Sequence, residues 1–441
     1  MIRDLGWPGI IRLGLVQTAL GAVVVLTTST LNRIMVVEIG LAAAIPGALV
    51  ALHYAVQLLR PRWGFGSDAG GRRTPWILGG MAVLATGGFL AAVATVLMAD
   101  RFVPALALGV LAFLMIGIGV GASGTSLLAL LAARVAEHRR AAAATTVWVM
   151  MIAGFIATTA VVGSLIDPYS PERLLAASAG VSLFAVVLTA LALFRMEPKA
   201  ATVVPENRAK LDFRAALAEV WAEPQARRFT IFVFVSMLAY NGQDLILEPF
   251  AGLVFGLTPG ETTKLAGVQH GGVLAGMVTM SAVATFFGRA AKRVLTGWMI
   301  GGCIASALLL ATLAATAFAG DVRWLRPVVF LLGAANGAFA AAAIASMMAL
   351  AGDGARGREG TRMGLWGAAQ AIAFGSGGFL GAVSVDLCRS ISPDPLVAYS
   401  AVFLGEAVLF LLSAILAVRV GRDGAAARAR AAAAPAATAS I

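Results

Sequence analysis

Two histidines, four carboxylates and an arginine sit where the chain is otherwise apolar. His53 and His270 lie inside long hydrophobic runs. A neutral imidazole can ligate a metal centre or hold a hydrogen bond to a neighbouring helix. Asp244 and Glu248 are four residues apart, with Gln243 beside them, so on a continuous helix the two acids share a face. Pro249 follows and is expected to end or kink that helix. Asn32, Arg33 and Glu38 cluster near the end of the first apolar run, and Glu406 lies inside the last. Charge is expensive in an apolar medium, so each of these groups is expected to be paired, protonated or turned to a cavity. An Arg33–Asp244 or Arg33–Glu248 pair would close one end of such a cavity; charge at span ends is the plainer alternative. Glu406 fits either proton coupling or a neutral acid bonded to a neighbouring helix. No phosphate loop, zinc-protease motif, dinucleotide fingerprint or nucleophile–base arrangement accompanies these residues, so an enzyme is not expected.

The elements that must position them are membrane helices. Of 441 residues, 60% are hydrophobic and 12% charged, about half the charged fraction of a soluble domain. Mean hydropathy is +0.89. Runs near the length of a bilayer span occur at 11–31, 41–59, 75–98, 103–133, 142–166, 174–194, 229–252, 262–287, 294–319, 325–351, 363–385 and 396–418. The first is too long for the apolar core of a cleavable signal peptide. The expected fold is therefore all-α and polytopic, with about twelve transmembrane helices.

The net charge of +11 is distributed between the spans rather than gathered into a nucleic-acid-binding patch. With a cytoplasmic N-terminus, all but seven of the 33 basic residues fall on the cytoplasmic side. The exceptions are Arg33, Arg101, Arg173, Lys264, Arg323, Arg326 and Arg389. This asymmetry places both termini in the cytoplasm. The expected organisation is a six-helix bundle over 1–195, a cytoplasmic linker over 196–227, a second bundle over 228–420 and a disordered Ala/Arg-rich tail over 421–441. Three histidines and two cysteines without a cluster argue against a structural zinc site.

The halves resemble each other. Trp148 follows Arg140 by eight residues, and Trp366 follows Arg358 by eight. Gly163 and Gly381 share that offset, and His53 and His270 are 217 positions apart. Together these spacings indicate a duplicated six-helix unit.

The loop after the second run reads Gly64-Phe65-Gly66-Ser67-Asp68-Ala69-Gly70-Gly71-Arg72-Arg73. Gly64, Asp68, Gly71, Arg72 and Arg73 resemble the signature loop of the major facilitator superfamily; Ala69 departs from its usual basic residue. The resemblance implies two pseudo-symmetric bundles, latched in one conformation by this loop. Asp68 is expected to pair with arginine or cap a neighbouring helix.

Three phrases are narrower: Asn32-Arg33-Ile34-Met35-Val36-Val37-Glu38, Gln243-Asp244-Leu245-Ile246-Leu247-Glu248-Pro249-Phe250, and Leu59-Arg60-Pro61-Arg62 leading into Gly66-Ser67-Asp68. They resemble the bacteriochlorophyll delivery (PucC/LhaA-like) family, over nearly the whole chain. That resemblance implies a bacterial inner-membrane protein that handles bacteriochlorophyll or a precursor. Its implied partners, besides lipid, are antenna polypeptides or synthesis enzymes such as bacteriochlorophyll synthase or geranylgeranyl reductase. On this reading His53 and His270 become candidate magnesium ligands or polar anchors facing a shared interior. Asn32, Arg33, Glu38, Gln243, Asp244 and Glu248 become a gate or partner contact. A proton-coupled transporter of a small solute and a non-transporting scaffold are the alternatives.

Overall fold

The structure, a computed structural model, describes residues 5–59, 72–136, 139–197, 218, 221–287, 291–353 and 359–433. Gly64, Asp68 and Gly71 of the signature loop, most of the linker and residues 434–441 lie outside them.

Twelve long helices run through the described residues. In the first half they are α1 (Trp7–Glu38), α2 (Ala44–Leu59), α3 (Thr74–Leu97), α4 (Phe102–Arg134), α5 (Arg140–Leu165) and α6 (Pro171–Leu193). The second half holds α7 (Pro224–Phe255), α8 (Pro259–Phe287), α9 (Ala291–Ala319), α10 (Leu325–Asp353), α11 (Glu359–Ile391) and α12 (Pro395–Ala433). Ten of them are long and apolar enough to cross a membrane. The other two, α2 and α8, are the ones that carry the histidines. The α2 helix is shorter, and α8 carries Glu261, Lys264, Gln269 and His270 along its first half. We call the face on which α1 begins the near face and the opposite one the far face.

Local chemistry sets several boundaries. Ser170 accepts the Arg173 N–H at 3.2 Å and Pro171 opens α6, a standard pairing of cap and first-turn proline. Gly256 ends α7 with φ at 68°, a conformation that suits glycine. At the start of α3, the backbone N–H groups of Arg73 and Thr74 and the Thr74 hydroxyl all donate to Glu197, at 2.8–3.1 Å. The cap thus comes from the end of the same bundle. The α12 helix continues to Ala433, beyond the boundary at 420 expected from composition.

The buried apolar residues form two main cores. One runs from Ile10 to Met196 and takes in Leu245 of the second half; the other runs from Ala226 to Val420. Each bundle therefore closes on its own interior. Small residues let the helices approach, because apolar lipid tails provide little other drive for packing. A Cβ on Gly80 of α3 would stand 2.6 Å from the Ser123 nitrogen and 3.1 Å from the Gly119 oxygen of α4, whereas one on the adjacent Gly79 would meet nothing within 4 Å. Gly80→Ala is therefore expected to cost about 1–3 kcal/mol of stability, as overpacking does, and Gly79→Ala almost none. Thermal unfolding of the two purified variants in one detergent checks this; equal midpoints would refute it.

Candidate functional site

The two halves meet along a polar seam, and α1 supplies much of it. Its segments Leu26–Thr30 and Ile34–Glu38 are π-helical, a widened form frequent at functional sites. Ser29, Thr30, Asn32 and Arg33 lie in or between these segments, and all four are buried. Each contacts the second half.

The Asn32 contact follows from Pro249. Proline has no N–H, so the carbonyl four residues earlier, that of Leu245, loses its helical donor. The α7 helix nevertheless runs through Pro249 to Phe255, so of the two expected outcomes, an end or a kink, the end does not occur. The Asn32 side-chain N–H donates to the Leu245 oxygen at 2.6 Å, so the first half replaces the hydrogen bond that proline removed. The next residue, Arg33, donates to the Leu257 oxygen just beyond the end of α7 at 2.8 Å and pairs with Glu38 of its own helix. Its guanidinium crosses α7 at Gly252, where a Cβ would stand 3.0 Å from a guanidinium nitrogen. The expected pairing of Arg33 with Asp244 or Glu248 is thus replaced: Glu38 and a backbone carbonyl take the arginine.

The two acids find neutral partners. Gln269 donates to Asp244 at 3.0 Å, and the Ser29 hydroxyl donates to Glu248. Nearby, the Thr30 and Thr263 hydroxyls meet at 3.2 Å. One Glu248 oxygen has no hydrogen-bond partner among the described residues, although Glu248 is only 2% exposed. Asp244, Glu248, Gln269 and His270 line a cavity of about 100 Å³ with Ser29, Tyr54, Phe155 and Asn241. It draws on α1, α2 and α5 of one half and on α7 and α8 of the other.

The histidines part company here. His270 places Nδ1 2.8 Å from the Ala266 oxygen, and its ring meets Phe155 edge-on at 4.9 Å. A carbonyl can only accept, so Nδ1 carries the proton and, in the neutral ring, Nε2 keeps its lone pair. His53 is 1% exposed, and its Nε2 lies 2.8 Å from the Gln57 amide nitrogen. It is not among the residues lining the cavity; its neighbour Tyr54 is. The expectation that both histidines face one interior is corrected for His53, because consecutive helical residues point in different directions. Gln243 and Glu406 are also buried outside the cavity lining, with no hydrogen-bond partners for their side chains among the described residues. Glu406 packs against the backbone at Gly242. Of the signature loop, the described structure includes Arg72 and Arg73, at the entrance to α3.

Sequence reasoning missed Ser29, Tyr54 and Gln269. The nearest signal for Ser29 is its spacing, 219 positions from Glu248, one more than the 218 that separate Trp148 from Trp366, and that spacing does not say that the two meet.

A family model described as PUCC protein matches residues 30–425. A Rhodobacter capsulatus protein named bacteriochlorophyll synthase 44.5 kDa chain is 55% identical over 416 residues, covering 94% of this chain and 96% of that one. Protein PucC of Cereibacter sphaeroides is 30% identical over 450 residues, covering 95% and 93%. Among solved structures, the nucleoside transporter NupG superposes with a TM-score of 0.70 at 14% identity, covering 93% of this chain and 98% of that one. A bacterial homolog to the human lysosomal transporter Spinster gives 0.67 at 13% identity, covering 94% and 96%. At such identities the likeness shows the fold: a multi-pass, major facilitator arrangement of two six-helix bundles.

The Asn32 contact makes a quantitative prediction. Asn32→Ala should cost roughly 1–3 kcal/mol, the penalty for an unpaired buried carbonyl. Pro249→Ala restores the helical donor, so the same Asn32→Ala change should cost much less in that background. A double-mutant cycle on unfolding midpoints in detergent measures the difference. Additive effects would show that Asn32 serves some other purpose.

Proposed function

The chain belongs to the PUCC protein family, and on that premise we propose that it handles bacteriochlorophyll or a precursor in a bacterial inner membrane. It would serve the assembly of light-harvesting complexes or the last steps of pigment synthesis, without being an enzyme itself. The observation that carries this reading is the relative that is 55% identical along nearly the whole chain and is named as a bacteriochlorophyll synthase chain. The name also favours synthesis enzymes over antenna polypeptides as partners.

The central cavity is a poor fit for a chlorin. His270 has suitable chemistry, with a lone pair on Nε2, but about 100 Å³ is well below the roughly 300–1,000 Å³ of ordinary ligand pockets. His53 is buried and lies outside the cavity lining. We therefore derive no magnesium ligation at either histidine.

A lateral groove is a better fit. It has a volume of about 700 Å³ and lies between α8, α9 and α10. Gly297 and Gly301 line it, and a Cβ on either would meet nothing within 4 Å. Trp298, Leu309 and Phe330 also face it, and Thr279 spends its hydroxyl on the Ala275 carbonyl of its own helix. This surface suits an isoprenoid tail or one face of a flat ring, and offers no charged ligand for magnesium. Bound there, the pigment would supply its own light absorption, while the chain would supply an apolar shelf open to lipid.

Purification from a pigment-making host tests the reading. The parent protein should carry bacteriochlorophyll absorbance. Gly297→Leu with Gly301→Leu should lower it about tenfold, equivalent to losing ~1.4 kcal/mol of binding. Replacing His53 and His270 should leave the absorption maximum in place. A pigment-free parent sinks the proposal, and a spectral shift in the histidine variants returns ligation to them.

A second reading, proton-coupled transport of a small solute, rests on a different observation: Asp244, Glu248 and His270 share a small polar cavity between the halves. Solute uptake into proteoliposomes driven by a proton gradient, and abolished by Glu248→Gln, would support it. The distribution of basic residues supports cytoplasmic termini.

A further inference from the structure

The start of α2 carries no cap of its own. The residues Gly40-Leu41-Ala42-Ala43-Ala44 offer no side chain that accepts a hydrogen bond, and alanine is among the poor capping residues. The missing acceptor arrives from the other half. Asp386, near the end of α11, accepts the Ala43 N–H at 3.0 Å and the Ala44 N–H at 2.7 Å.

The same device recurs in mirror order. Asp167, just beyond α5 of the first half, accepts the Gly260 N–H at 3.0 Å and the Thr258 hydroxyl at 2.8 Å at the start of α8. There Thr258 and Glu261 already cap each other, with 3.0 and 3.2 Å bonds, so Asp167 grips a preformed helix end. Arg173 folds back on the Asp167 and Pro168 carbonyls and holds the turn that presents the aspartate. Asp167 and Asp386 are 219 positions apart, one more than the 218 that separate Trp148 from Trp366.

Close backbone approach supports both contacts. A Cβ on Gly163 of α5 would stand 2.7 Å from the Gly260 oxygen, and one on Gly47 of α2 would stand 2.9 Å from the Ala382 Cβ of α11. Both aspartates lie on the far face. Each places a carboxylate on the positive end of a helix dipole in the opposite bundle.

We propose that Asp167 and Asp386 form two reciprocal clasps that hold the far face of the molecule closed, one from each half. The pairings are α5 on α8 and α11 on α2. With both clasps made, the central cavity is sealed from the far face, and exchange with it runs through the near face or the lipid-facing sides. Opening the far face requires both aspartates to leave their helix ends. This device is independent of the pigment reading.

Distance measurement between spin labels tests it. Labels at Arg101→Cys and Arg323→Cys, in full-length protein with Cys303 and Cys388 replaced, report the separation of the halves on the far face. The parent should give one short distance population. Asp167→Ala with Asp386→Ala should shift it to longer distances, and either change alone should leave it as in the parent, because one clasp remains. If the double alanine variant does not survive purification, Asp167→Asn with Asp386→Asn replaces it; this pair keeps one acceptor oxygen per site and should give a partial shift. A distribution identical to that of the parent in the purified double variant overturns the proposal.

Discussion

A backbone N–H or carbonyl buried away from water must find a partner, and within a membrane that partner must come from the protein. Regular helices meet this demand internally. The join between the halves of this molecule is built where they do not. Pro249 deprives Leu245 of its donor, and Asn32 restores it from the other half. The end of α7 leaves the Leu257 carbonyl, which Arg33 takes. The starts of α2 and α8 leave N–H groups, which Asp386 and Asp167 take. The interface is thus assembled largely from backbone groups that one half lacks the means to satisfy.

That origin explains the character of the seam. Its side chains are few, mostly neutral and committed to particular atoms. Arg33 is held by Glu38 and a carbonyl, leaving Asp244 and Glu248 to Gln269 and Ser29. The cavity between the halves is accordingly small and polar, whereas the large opening lies to one side, between α8, α9 and α10, and is almost wholly apolar. A bulky hydrophobic group and a small polar one would therefore meet different surfaces of the same protein. The proposed pigment role calls on the apolar surface, and the polar centre is suited to a small polar group or to holding the halves together.

Much of the fold was legible in the residues. Long apolar runs, separated by basic turns, are the direct consequence of bilayer thickness and helix rise, so the helix number and the two-bundle plan follow. The duplication was legible too, but equivalence in sequence did not imply equivalence in environment. Trp148 is 48% exposed, while Trp366 is 1% exposed and aims its indole N–H at the Ala226 carbonyl. His53 and His270 diverge in the same way: one is buried away from the central cavity, and the other lines it.

The sequence by itself determined the membrane helices, their pairing into two related bundles and the family to which the phrases around Asn32 and Gln243 belong. These depend on composition and local periodicity, which any stretch of chain carries with it. Only the tertiary structure decided which groups meet: Asn32 with the carbonyl freed by Pro249, Ser29 with Glu248, and each far-face aspartate with a helix start in the opposite bundle. Those pairings join residues between 91 and 343 positions apart. They exist because unsatisfied backbone groups of one half are brought against the other, and no local pattern records which side chain will be waiting there.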